Sequence, residues 1–205
     1  MSDVDEAASA ALEGRLVVIP TDTVYGIGTR PDASEATGAI FEAKGRPRGV
    51  ELPVLVANEE AAAAVGEIGP MGAALVRRFW PGPLTLVVAR TTESERWDLG
   101  GDPTTVGLRI PAHPLALELL RLTGPLAVTS ANHSGEPTPD TCEGVRAVFG
   151  DAVAVYVCSD QPLAGAPSTV VDLTGDRPRI LRAGSIPERD VLSVTGHARR
   201  FSRPR

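Results

Sequence analysis

Lysine is almost missing from this 205-residue chain: Lys44 stands alone beside 19 arginines. Such a chain should keep a lysine only where a compact ammonium and a planar guanidinium are not equivalent. Lys44 is therefore a candidate functional residue, although a leftover surface lysine in a helix-to-loop turn would explain the same count. Aromatic residues make up 4% of the chain, so the core must be built from Val, Leu, Ile and Ala. The two cysteines, Cys142 and Cys158, form no Cys-x-x-Cys motif and no Cys/His cluster. That usage offers no zinc site and fits a reducing compartment. The longest apolar runs, such as Leu84 to Ala89, are strand length and far short of a membrane span. The acidic N-terminal segment lacks the charged-then-apolar pattern of a leader, so a soluble, cytoplasmic protein is expected. Basic excess is also absent. A net charge of −6 argues against a protein that coats nucleic acid, while leaving room for a local basic pocket. His113, His133 and His197 make neither a Ser-His-Asp spacing nor an i, i+4 pair, which excludes a hydrolytic triad or a His-based metal catalyst.

What the chain does contain is ordinary globular material, 42% hydrophobic and 22% charged. Its pattern alternates. A helix over about 3–13 leads into the strand RLVVIP (15–20), followed by a turn-rich loop, TDTVYGIGTRP. Helices are predicted over 34–43, after Asn58 as N-cap, over 70–79, 113–122 and 139–148, with a short one after Pro187. Strands are predicted at 53–57, 84–89, 105–111, 125–131, 152–157, 168–173 and 179–183. Residues 91–104 are polar and read as a mobile loop, and residues 197–205 as a disordered Arg-rich tail. Strands outnumber helices toward the end, so the expected fold is α/β, with a mixed twisted sheet and flanking helices in one domain over 1–196.

Four polar segments each lie against the end of a predicted strand, where open α/β sheets bind ligands. Pro20-Thr21-Asp22-Thr23-Val24-Tyr25-Gly26 could hydrogen-bond a small polar ligand, or simply cap its own turn. In Lys44-Gly45-Arg46-Pro47-Arg48-Gly49, lysine and arginine can converge on one anion, Lys as a point charge and Arg as a bidentate donor. A solvated basic loop is the alternative. In Thr129-Ser130-Ala131-Asn132-His133-Ser134-Gly135, the Ser130 hydroxyl and Asn132 amide would face one crevice, unless Asn132 only forms the turn. Ser168 and Arg182 are candidates for the rim of the same pocket. Arg109 lies inside an apolar pattern and needs an anionic or carbonyl partner.

Taken in order, these segments resemble the YrdC/Sua5 family of L-threonylcarbamoyladenylate synthases over roughly residues 10–190. The resemblance is carried by Lys44-x-Arg46 and Ser130-x-Asn132, together with PTDTVYG, FWPGPLT, VGLRIP, TSANHSG, STVVD and ILRAG. It implies a YrdC-like twisted α/β fold with a positively lined cavity. It also implies a nucleotidyltransferase that joins L-threonine, bicarbonate and ATP into threonylcarbamoyl-AMP, releasing pyrophosphate, as the first step of tRNA t6A37 modification. By position, Thr23, Arg109, Ser130 and Ser168 resemble threonine-contacting residues. Lys44, Arg46, Thr105, Asn132 and Arg182 resemble nucleotide-contacting ones. Lys44, Arg46, Ser130 and Asn132 form the tetrad expected at the reaction centre. Magnesium would arrive with ATP, and no protein metal site is expected. Further partners implied are tRNA and the downstream threonylcarbamoyl transferase, with the chain itself a monomer.

Two features depart from the family pattern. The link after Arg46 is the long Arg48-Gly-Val-Glu-Leu-Pro53, and Ala57 stands where a histidine is common. The main alternative is a paralogue of the same fold that binds nucleotide or RNA without making the adenylate, since fold alone does not set function.

Overall fold

The computed structural model describes residues 2–163 and 165–201, with side chains described through residue 196. Among these, nine strands form one mixed sheet. In chain order the elements are α1 (Asp3–Leu12), β1 (Val17–Ile19), β2 (Gly26–Thr29), α2 (Ser34–Lys44) and β3 (Val54–Leu55). Then come α3 (Glu59–Val65), α4 (Pro70–Phe79), β4 (Leu84–Ala89), β5 (Thr105–Arg109), α5 (Pro114–Thr123) and β6 (Leu126–Ser130). The last are α6 (Cys142–Phe149), β7 (Val155–Tyr156), β8 (Thr169–Asp172), β9 (Arg179–Arg182) and α7 (Glu188–Phe201). The sheet order is β7-β1-β2-β6-β3-β5-β4-β8-β9.

Local chemistry marks most helix ends. Ser2 and Asp5 form a reciprocal capping box on α1, and Asn58 and Thr141 cap α3 and α6. Proline opens α4 and α5, where its missing N–H is no loss. Gly45 ends α2 in the left-handed conformation, with φ of 57°, immediately after Lys44.

Strand alternation sorts the side chains onto two faces. Val18, Ile27, Val54, Leu86, Leu108 and Ala127 join the larger core, with Ile40 and Phe41 of α2, Leu75 and Val76 of α4 and Val145 of α6. Val17, Ile19, Leu55, Leu126 and Val128 point the other way, into a second core against α1 and α5. Register carries that second face onward: Leu55 pairs with Arg109, Val87 with Gly107, Thr85 with Val170 and Val170 with Arg182. Helices α1 and α5 cover its β7-to-β3 part, and the rest is the floor of a cavity.

Four expectations need amending. The segment read as a loop after Pro20 contains β2, which pairs with both β1 and β6. Glycine is required there because a Cβ on Gly28 would lie 2.5 Å from the Ala127 carbonyl oxygen. Residues 91–104 are tied down rather than free. The buried Arg90 guanidinium donates to the carbonyls of Thr105, Ser94 and Trp97, and the Ser94 hydroxyl donates to Val65 at 2.6 Å. Helix α7 runs on through residues 197–201, part of the stretch expected as a disordered tail, and residues 202–205 lie outside the described residues. Finally, Cys142 and Cys158 are bonded in a disulfide, with Cα atoms 5.5 Å apart. Only the fold brings the start of α6 to the end of β7, so spacing along the chain gave no sign of the pair.

Candidate active site

The uncovered part of the sheet floors a cavity of about 560 Å³. Gly107 and Val87 form the low middle of that floor, with Thr85, Arg109, Ser168 and Arg182 around it. Thr23 and Tyr25 close one side, and Ser130, Asn132 and Thr138 another. Arg46, Val50 and Glu51 form the wall supplied by the link after α2.

Arg109 is held in place before any ligand arrives. Its Nε donates to the Gly82 carbonyl at 3.0 Å, its Nη1 to the Thr23 hydroxyl at 2.9 Å, and its Nη2 to Asp22 Oδ1. The Ala112 N–H donates to the same Asp22 oxygen at 2.9 Å. Burial alone would weaken the charge on Arg109, and Asp22 opposes that loss. A guanidinium carries five donors, so these three bonds fix the fork without exhausting it. His113, whose charged form burial disfavours, lies near Asp22 and makes no triad.

Across the floor, the Ser168 hydroxyl lies 2.9 Å from the Thr85 hydroxyl and accepts from Arg182 Nη2 at 2.9 Å. Arg182 also donates twice to the Ser168 carbonyl, at 3.1 and 2.9 Å. Arg46 donates to the carbonyls of Val50 and Glu51, at 3.1 and 2.8 Å. Among the described residues, neither Arg46 nor Arg182 has a carboxylate partner. Burial lowers the pKa of both, and the charge of Arg182 lowers Arg46 further. Two mutually repelling cations on one cavity, Arg46 partly buried and Arg182 exposed at its rim, leave a strong preference for an anion between them.

Lys44 occupies a different place from the one its sequence context suggests. It is 2% exposed and sits behind the cavity wall. Its ammonium donates to the carbonyls of Ser130 and Asn132, with Asn132 Oδ1 at 3.4 Å. Burial, and then the nearby charge of Arg46, push its pKa down to about 8. The Asn132 amide is likewise spent on its own loop, donating to His133 and Glu136 carbonyls at 2.7 Å each. Lys44 and Asn132 therefore build the turn that presents Ser130.

Of the residues singled out from sequence, Thr23, Arg46, Arg109, Ser130, Asn132, Ser168 and Arg182 all line the cavity. Lys44 and Thr105 do not, although each touches a residue that does. Thr105 opens β5 and lies against Glu51. Thr85, the partner of Ser168, and Glu51 are not among the residues the sequence singles out; Asp22 is, as part of a ligand-binding segment, but its pairing with Arg109 comes only from the fold. Strand alternation could have found Thr85, a polar residue on the face of an otherwise apolar strand. Glu51 has no local signal. Burial pushes its carboxyl up to about 7, with Arg90, 3.4 Å away, in partial opposition.

These features match known proteins along nearly the whole chain. A Sua5/YciO/YrdC family model, described as telomere recombination, matches residues 9–184. A Mycobacterium tuberculosis relative, provisionally named for threonylcarbamoyl-AMP synthesis, is 47% identical over 191 residues, covering 93% of this chain and 88% of its own. The threonylcarbamoyl-AMP synthase of Pyrococcus abyssi is 40% identical over 195 residues, and this chain spans 57% of its length. Among solved structures, P. abyssi Sua5 complexed with L-threonine superposes with a TM-score of 0.89 at 38% identity, covering 96% of this chain and 58% of that one. E. coli YciO superposes at 0.82 with 25% identity and 90% coverage of both. The Lys-x-Arg and Ser-x-Asn segments, the mixed sheet and its half-covered face thus have one common explanation: the chain belongs to the Sua5/YciO/YrdC family.

Proposed function

We propose that this protein forms threonylcarbamoyl-AMP from L-threonine, bicarbonate and ATP, with release of pyrophosphate. The observation that carries the reading is the division of one cavity into two chemistries. One end presents Arg109, Thr23, Thr85 and Ser168, a guanidinium among hydroxyls that suits a small hydroxylated amino acid. Beyond them Arg182 reaches from the Ser168 hydroxyl to within charge range of Arg46; among the described residues neither cation has a carboxylate partner, and the pair suits a polyphosphate. The P. abyssi relative bound to L-threonine supports the first assignment.

In this reading the threonine amine takes up carbon dioxide or bicarbonate as a carbamate, whose oxygen attacks the α-phosphorus of ATP. A phosphorus–oxygen bond forms to the carbamate as the bond to the pyrophosphate leaving group breaks. Arg46 and Arg182 stabilise the charge that grows on the phosphoryl oxygens. No covalent enzyme intermediate is needed. Lys44 acts one layer back, keeping the Ser130 turn in register with the phosphates. Among the described residues, no group of three or more His, Cys, Asp or Glu is placed to hold a metal. Magnesium would arrive with ATP, whose phosphate oxygens would supply its ligands. The product would feed tRNA t6A37 modification through tRNA and a downstream threonylcarbamoyl transferase, with the chain acting as a cytoplasmic monomer. Among the described residues, no helix is long and apolar enough to cross a membrane.

The test is to incubate the protein with ATP, bicarbonate and single amino acids, measuring pyrophosphate and the mass of any new adenylate. Product should require all three substrates. Serine should be poorer, because losing one methyl from a fitted pocket costs about 1–3 kcal/mol. Pyrophosphate release without threonine would sink the assignment.

A further inference from the structure

The Cys142–Cys158 bridge joins the segment that follows the cavity-lining loop after β6 to a segment that packs behind the cavity wall. On the Cys142 side, the loop after β6 contributes Asn132, Glu136, Pro137 and Thr138 to the lining. On the Cys158 side, the Ser159 N–H donates to the Tyr25 hydroxyl at 3.0 Å, and Tyr25 lines the cavity. The Leu163 N–H returns to the Asp140 carbonyl at 2.7 Å, so the bridge and this bond clamp the two segments together. A little further on, Gly165 packs so closely on Thr23 that a Cβ would lie 2.2 Å from the Thr23 carbonyl oxygen.

The two sulfurs are placed unequally. Cys158 is exposed, whereas Cys142 is 5% exposed and forms the first residue of α6, behind the Thr141 cap. A thiolate released at that position meets the unsatisfied N–H groups of a helix start, the environment that stabilises reactive thiolates. An incoming thiolate can reach the Cys158 sulfur, and the better leaving group is on the other side of the bond.

We propose that Cys142–Cys158 is a reversible thiol–disulfide modification site, opened by dithiol reductants, whose state sets how firmly this wall of the cavity is held. A thiolate of the dithiol attacks Cys158 Sγ, the S–S bond breaks, and Cys142 leaves as a thiolate. The second thiol of the reductant then attacks the mixed disulfide, closing its own disulfide and releasing Cys158. Two electrons and two protons pass from the dithiol to the protein. Reduction removes the covalent tie and leaves only non-covalent ones between the two segments, among them the Leu163–Asp140 bond and Arg146 over the Tyr156 ring, so the walls around Tyr25 and Asn132 loosen.

The experiment treats the folded protein with graded dithiothreitol, then alkylates it for intact mass and follows amide exchange by segment. Two alkyl groups should add only after reduction. Exchange in 131–141 and 158–163 should then rise at least about tenfold, while α1 and α4 stay unchanged. Cys158→Ser should show the fast exchange whether or not reductant is present. Under the function proposed above, on which this last arm rests, reduction should raise the threonine KM about threefold. Alkylation of both cysteines without reductant, or unchanged exchange after full reduction, overturns the proposal. Absence of product in both redox states counts against the proposed function and leaves the exchange result to decide the redox site.

Discussion

Lys44 and arginine carry the same charge, yet the pocket behind Ser130 accepts only one of them. The ammonium is surrounded by the Ser130 and Asn132 carbonyls and the Asn132 side chain. A planar fork is too wide for that seat and must displace the turn. Lys44→Arg should therefore lose at least about tenfold in rate, roughly 1.4 kcal/mol of transition-state stabilisation. Near-normal turnover would show that the turn tolerates movement. Arg109→Ala should raise the threonine KM far more than the ATP KM, because it removes the guanidinium held beside Thr23 and leaves Arg46 on its own wall. A defect confined to ATP would favour the nucleotide-binding paralogue. Glu51 makes a pH prediction. Its folded pKa of about 7 stands above the ordinary 4.5, chiefly through burial. Between those values the folded state binds more protons than the unfolded one, so this group's contribution is complete below about 4.5 and lost as pH rises through 7. Glu51→Gln should gain on the parent protein between pH 5 and 8 by an amount on the order of 1–2 kcal/mol. Urea midpoints at the two pH values measure it, and parallel profiles would count against the burial argument.

At the scale of elements, the interior helices and most strands were legible because they advertise themselves locally. Asn58, Thr141 and the prolines that open α4 and α5 are end signals that work through neighbouring backbone groups. Strand β2 was not legible. Gly26-Ile27-Gly28-Thr29 has turn composition, and its glycines serve contacts with β6, about a hundred residues away along the chain. Gly28→Ala should cost about 1–3 kcal/mol, since the added methyl meets the Ala127 carbonyl and Val128 and the sheet must shift. A thermal melt is sufficient to measure it. A methyl accepted without loss would mean that β2 and β6 can separate cheaply. The 91–104 segment misled for a related reason. Its polar composition reads as mobility, but the one buried cation that organises it, Arg90, lies just before it at the end of β4.

For the whole molecule, the decisive feature is incomplete coverage of one sheet face. Helices α1 and α5 bury the β7-to-β3 half, and the continuation across β5, β4, β8 and β9 stays open. Thr85, Gly107, Arg109 and Arg182 thereby become cavity rather than core. Among the described residues, no side chain of α7 lines the cavity. Helix α7 packs on α4, and its buried anchors, Val191 and Thr195, precede residue 197. Removing residues 197–205 should leave adenylate formation intact within about twofold, because the buried anchors of α7 are retained. Loss of threonine-dependent product on truncation would mean that the segment reaches the cavity.

The sequence by itself determined the elements with local signals, the mixed α/β class, and the identity of seven residues that line the cavity. Capping, strand periodicity and polar groups at strand ends are all properties of near neighbours, so they survive in one dimension. Only the tertiary structure decided which partners those residues meet. It bonded Arg109 to Asp22, placed Lys44 behind the Ser130 turn, brought Glu51 into the wall beside Arg46, and joined Cys142 to Cys158. Each of these depends on which strands lie side by side and on which face is left uncovered. The order of strands in a sheet follows from packing of the whole chain, and no short stretch of residues records it.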